Sequence, residues 1–238
     1  MKKLALLGII LAFCFSLAGC SENNSTNNSS NTNAENATNE EPSNEQTDST
    51  QLVLVDTGLH IEHNSFSYAL VIENPYDGLI ADRPAIKMTI LDANGETILS
   101  TTDHLPYVGP GEKIVYCGAK STADLIDTVE FELVAKESSW ISESEAPDRV
   151  KNYEITSLEK ETAEDGSLSF SGQVKNPGDT QATLRISIAL FDASGKAITG
   201  VFDFADQVPP GETGSFKVAV PTSIPTHTTY EAHATFSY

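Results

Sequence analysis

The feature that most constrains this chain is an internal repeat at an offset of one hundred residues. Ile86, Met88, Ile90, Leu91, Asp92, Ala93 and Gly95 fall against Ile186, Ile188, Leu190, Phe191, Asp192, Ala193 and Gly195, and Pro110-Gly111-Glu112 falls against Pro210-Gly211-Glu212. Asn74-Pro75 answers Asn176-Pro177 with two residues of slip. Self-similarity at a fixed spacing means that one structural unit is used twice. The chain therefore divides into copies at 52–136 and 151–238, with a polar linker at 137–150.

Within each copy the apolar period is two, the signature of strands with one buried face. Phe66, Tyr68, Leu70 and Ile72 alternate with Ser65, Ser67, Ala69 and Val71, and Leu168, Phe170 and Val174 alternate with Ser169, Ser171, Gln173 and Lys175. These strands stop at Asn-Pro, because proline has no ladder donor and restricts the residue before it. Ile186, Ile188 and Leu190 continue the pattern, Asp192 to Gly195 and Pro210-Gly211 read as turns, and Phe216–Val220 and Tyr230–Phe236 read as further strands. Six or seven short strands in about 85 residues predict an all-β chain of two tandem small antiparallel β-sandwiches.

Each copy also resembles an FxLYD-type module, a small immunoglobulin-like domain of secreted and lipid-anchored bacterial proteins. The resemblance rests on Ile188-Ala189-Leu190-Phe191-Asp192 with Gly195, and less faithfully on Met88-Thr89-Ile90-Leu91-Asp92 with Gly95, each followed by Pro-Gly-Glu. Both copies replace the motif's first aromatic, and the first copy also lacks the second. The motif describes a strand and its turn, so it implies an immunoglobulin-like fold and carries over no catalytic residues.

At the N-terminus, Lys2 and Lys3 precede an apolar run from Leu4 to Phe15, followed by Leu17-Ala18-Gly19-Cys20. The run is shorter than the ~20 apolar residues of a comfortable span and reads as a secretory signal. Its end resembles the lipobox of bacterial lipoproteins. That resemblance implies cleavage before Cys20 and a diacylglyceryl group on its thiol, with 1–19 as the signal peptide. Residues 20–51 then form a polar tether rich in Asn, Ser and Glu that cannot offset its ordering entropy. A coil of that length spans roughly 30 Å on average. The expected location is the extracytoplasmic face of the bacterial cell membrane.

Charge and cysteines narrow the function. Thirty-four acidic residues against 14 basic ones give a formal charge of -20, and signal cleavage makes it two units more negative. Phosphate backbones are bound by clustered Lys and Arg, so nucleic acid is not expected as a partner. Cys14 leaves with the signal and Cys20 is consumed by lipid, which leaves Cys117 as a lone thiol with no intrachain disulfide to form. Its setting in an alternating strand reads as a small buried hydrophobe.

Most of the remaining motifs dissolve once the copies are compared. Asp92-Ala93-Asn94-Gly95-Glu96 has the oxygen spacing of a calcium loop, but its mate Asp192-Ala193-Ser194-Gly195-Lys196 puts an ammonium where a ligand would be. A hairpin turn accounts for both, and no metal or other cofactor is expected. Gly109-Pro110-Gly111-Glu112-Lys113 lacks the spacing of a phosphate loop. His60 and His63, three apart, point to opposite faces of a strand. Glu143, Glu145 and Asp148 sit in the linker, and Glu159, Glu161, Glu164 and Asp165 surround a hairpin, as solvated acids do.

Trp140, the only tryptophan, stands out in the polar linker. It reads as an anchor in the seam between the sandwiches or for a partner. The chain thus reads as a non-catalytic lipid-anchored envelope protein whose modules bind or space, with an envelope protein or cell-wall polymer as partner. The alternatives are a calcium-dependent adhesion or ligand-binding lipoprotein and an envelope hydrolase.

Overall fold

The computed structural model describes residues 51–134, 140–146 and 151–237. The signal, the lipobox with Cys20, nearly all of the tether, and Asp148 lie outside these residues. The described chain is all-β. The first copy runs β1 (Val53–Glu62), β2 (Ser65–Glu73), β3 (Leu79–Ala81), β4 (Ala85–Leu91), β5 (Thr97–His104), β6 (Lys113–Ser121) and β7 (Thr128–Val134). A short β8 (Trp140–Ser142) follows. The second copy runs β9 (Ile155–Thr162), β10 (Leu168–Lys175), β11 (Ala182–Phe191), β12 (Ala197–Val208), β13 (Thr213–Val220) and β14 (Thr229–Phe236).

Each copy is a sandwich of two three-stranded antiparallel sheets, β1-β2-β6 on β5-β4-β7 and β13-β10-β9 on β12-β11-β14. The repeat maps β1, β2, β4, β5, β6 and β7 onto β9, β10, β11, β12, β13 and β14. Alternation places the core as the sequence predicts, since successive side chains leave a strand on opposite faces. Phe66, Tyr68, Leu70 and Ile72 meet Ile86, Met88, Ile90 and Ile114 in the first core. Phe170 and Val174 meet Leu184, Ile186, Ile188, Leu190 and Val218 in the second.

The Asp-Gly turns are alike in both copies. The Asp92 carboxylate accepts from the backbone N–H of Asn94 at 2.9 Å and of Glu96 at 2.8 Å. Asp192 accepts from Ser194 at 2.8 Å and from Lys196 at 3.1 Å. Gly95 and Gly195 take φ of 80° and 82°, which L side chains rarely adopt. Each Asp therefore serves its own turn.

Two expectations need correction. The segment 137–150 is more than a linker, because Trp140–Ser142 pairs antiparallel with Leu79–Ala81 and completes a small two-stranded sheet on the first sandwich. Trp140 is half-buried there, edge-on to Tyr76 at 5.4 Å and packed on the first core. The seam between the sandwiches is filled by other residues.

That seam is face to face. The outer face of β1-β2-β6 lies on the outer face of β12-β11-β14, with β12 across β1 and β2 and with β11 against β6. Ala69, Val115, Cys117 and Ala189 are wholly buried in it, flanked by Phe191 and Phe202. Ala69 and Ala189, which alternation assigns to solvent, thus belong to a third apolar cluster, in which Cys117 is buried as its strand setting predicts. The close approach needs glycine at two points. A Cβ on Gly58 would sit 2.5 Å from the Thr199 backbone nitrogen, and one on Gly200 would overlap the Cys117 sulfur.

Candidate functional site at the junction of the sandwiches

Strand ends build the site. Asn74 and Asn176, wholly buried at the Asn-Pro stops, are clamps that the sequence marked only as strand terminators. Asn176 Nδ2 donates to the carbonyls of Thr180 at 2.8 Å and Val208 at 2.9 Å, and its Oδ1 accepts from Gly178 N–H at 2.9 Å. Asn74 does the same through Leu79, Val108, Gly109 and Tyr76. Both also donate their backbone N–H to the Glu of the Pro-Gly-Glu turn, at 2.9 Å. A buried amide that ties three backbone groups fixes the loops at that end of each sandwich.

The two Pro-Gly-Glu turns then differ in use. Glu212 is exposed, whereas Glu112 is partly buried at the junction. Its Oε2 accepts from Gly109 N–H at 2.6 Å, and its Oε1 stands 3.7 Å from His233 Nε2 on β14. That second distance is beyond a hydrogen bond. Burial raises the Glu112 carboxyl above its ordinary range, the Gly109 bond opposing it. Burial also pushes His233 down to about 4, so the imidazole is neutral at pH 7 and the contact is no ion pair.

Around this pair lies a cavity of about 280 Å³ lined from both copies, by Tyr107 and Glu112 on one side and by Tyr153, Asp179, His233 and Thr235 on the other, with Lys151 also on its wall. Thr235 is only 6% exposed, and its Oγ1 has no partner. His60 Nε2 and Arg185 Nε are the other buried side-chain atoms without a partner among the described residues. All three belong to the docking faces, since His60 pairs with Ser67 and Arg185 with Thr235 across the ladders. Native interiors leave few such groups, and each calls for an explanation.

Elsewhere the seam is well stitched. Ser67 and Thr199 hydroxyls meet at 2.7 Å, Ala197 N–H donates to Asp56 at 2.8 Å, and Cys117 N–H donates to Ser187 Oγ at 3.2 Å. Arg185 donates from Nη2 to the Cys117 carbonyl and lays its guanidinium 3.8 Å over Phe202 and 4.7 Å from Tyr116. Cation–π contacts of this kind contribute about 0.5–2 kcal/mol. Burial pushes the Cys117 thiol up to about 12, so it is a packing residue with little thiolate character.

The other sequence-derived candidates stay apart from this cavity. His63 is exposed at the β1–β2 turn with φ of 59°. Glu159, Glu161, Glu164 and Asp165 are exposed along and around the β9–β10 hairpin, where Asp165 caps its turn by accepting from Ser167 N–H at 2.9 Å. Glu143 and Glu145 are exposed beyond β8. Among the described residues no three His, Cys, Asp or Glu side chains gather as a metal site.

No protein-family model matches the chain, and no curated protein sequence matches it. Among solved structures, an oxalate decarboxylase aligns at 10% identity over 78% of this chain and 73% of its own, with a TM-score of 0.11. That likeness carries no argument about fold or activity.

Proposed function

We propose that this protein is a lipid-anchored envelope protein that acts by binding rather than catalysis, held to the extracytoplasmic face of the membrane through Cys20 and presenting its two docked sandwiches beyond a polar tether. The observation that supports binding over mere spacing is the junction cavity, lined from both copies by polar side chains that include the partly buried Glu112 carboxylate. A spacer needs length and stiffness, and neither requires polar groups left open between modules. The ligand is a component of the envelope, an exposed protein or a cell-wall polymer, and the immunoglobulin-like resemblance accords with that use.

Anchoring rests on the sequence from Lys2 to Cys20. Two acyl chains on one thiol give stable attachment, whereas a single chain gives marginal, reversible binding. Detergent partitioning of wild type and Cys20→Ala tests it directly. The wild type enters the detergent phase, and the variant is released or retains its signal. A Cys20→Ala protein that is processed and still partitions as wild type overturns the lipoprotein reading.

A further inference from the structure

The cavity between the sandwiches carries an inference about ligand chemistry that rests on the binding role proposed above. Its groups are few and their needs are specific. Glu112 has one carboxylate oxygen satisfied by Gly109 N–H and another that stands 3.7 Å from a neutral imidazole. A partly buried carboxylate without a cation is unfavourable, and a donor cation beside it reverses the penalty. Thr235 lies on the wall, but its Oγ1 is sealed from the cavity and offers it no bond. Neutral His233 adds one donor and one acceptor on the same face of β14, two residues away. Tyr107 and Tyr153 supply flat walls.

Size and charge complete the selection. At about 30 Å³ per water in the liquid, a cavity of about 280 Å³ has room for a group of single-sugar size. The chain's charge of -20 concentrates cations at its surface. Lys151 on the wall is already engaged with another group, and Asp179 on the same wall offers a second carboxylate.

We propose that this cavity binds a small organic cation bearing a primary ammonium beside hydroxyl groups, an amino sugar or amino alcohol, with the ammonium on Glu112 and a hydroxyl on His233. A charge-assisted hydrogen bond to the carboxylate is about twice as strong as a neutral one, so the cation sets specificity and the hydroxyls set orientation.

Three ligands of one ring shape isolate the charge: glucosamine, glucose and glucuronate, titrated calorimetrically into the protein at pH 7 and low salt. Glucosamine is expected to bind at least tenfold more tightly than glucose, with glucuronate weakest. Glu112→Gln, which retains an acceptor for Gly109 N–H, is expected to bring glucosamine down to the level of glucose. His233→Ala is expected to weaken both sugars while sparing the charge preference. Equal binding of glucosamine and glucose overturns the cation selection while the binding role stands. Tighter glucuronate reverses its sign, with Lys151 as the determinant, and overturns it too. No heat with glucosamine up to millimolar concentration overturns the site. The partitioning of Cys20→Ala is read separately, so failure of the anchor is not confused with failure of the cavity.

Discussion

Gly58→Ala tests the face-to-face seam at its tightest point. The added methyl would lie 2.5 Å from Thr199 N, 2.7 Å from the Ile198 carbonyl carbon and 2.9 Å from that of Ala197. All three are backbone atoms of β12, so no rotamer change relieves the overlap, and the strands must separate by about 1 Å to restore van der Waals distance. A gap of that size forfeits a quarter to a half of each dispersion contact it opens. Overpacking of this kind costs about 1–3 kcal/mol, equivalent to about a 5- to 150-fold rise in the open population. Cys117 reports on it, because the thiol is buried in the seam and is the single cysteine of a chain beginning at residue 51. Labelling by a thiol reagent at pH 8 is expected to accelerate by that factor while far-ultraviolet circular dichroism is unchanged. Gly195→Ala is the control, since its Cβ meets nothing and only its φ of 82° is strained. Equal acceleration in both variants would show that Cys117 is reached by global unfolding, and an unchanged rate in Gly58→Ala would show that β1 and β12 are not in contact. The second result refutes the docked arrangement, and the first refutes local opening of the seam.

Asn176→Ala removes the partner of one buried carbonyl and of a partly buried carbonyl and N–H, and at about 1–3 kcal/mol for each buried unmet group with water relieving the others, urea denaturation should show a loss of about 3 kcal/mol against almost none for exposed Asp179→Ala. His233 should titrate near 4 by NMR. As its folded pKa lies below the unfolded value of 6.5, the unfolded chain takes up the proton first, so this contribution to stability is whole above pH 6.5 and is lost as pH falls towards 4. A shift of that size corresponds to about 3 kcal/mol, opposed in part by Glu112, whose raised carboxyl favours the folded state on acidification. Millimolar calcium should leave the melting temperature unchanged relative to magnesium, because Asp92 and Asp192 already serve their turns. A rise of several degrees that disappears in Asp92→Ala would contradict this.

The strands were legible because each core face alternates, and the paired turns because Asp and Gly recur at matching places. The docking was less so. A sheet buried on both faces reads as an unbroken apolar run, and such runs are present at Tyr68–Ile72, Ile114–Cys117 and Ile188–Phe191. Alternation assigns Ala69, Val71 and Ala189 to solvent because small apolar residues serve either setting. The β3–β8 pairing was hidden because Trp140–Ser142 is too short to show a period. The cavity left the weakest trace, since Glu112, Tyr153 and His233 come from separate loops and strands and meet only once two sandwiches have docked. Of two equivalent Pro-Gly-Glu turns only one turns its acid inward, and the identical triplets give no sign of which.

The seam joins unlike surfaces. The first copy offers β1-β2-β6, whose repeat counterpart is β9-β10-β13, and the second offers β12-β11-β14, whose counterpart is β5-β4-β7. A head-to-tail contact of this sort is heterologous and does not close on itself, so the same operation could add a third module, or a second molecule, at either end. The terminal faces oppose such growth. Where Ala69, Val71, Val115 and Cys117 stand in the first copy, the second displays Ser171, Gln173, Ser215 and Lys217, while β4 and β7 expose Lys87 and Glu132 as an ion pair at 3.3 Å. The duplicated units have diverged so that each outward face is polar, and replacing those polar residues with their apolar counterparts would create two complementary faces on which further copies could stack.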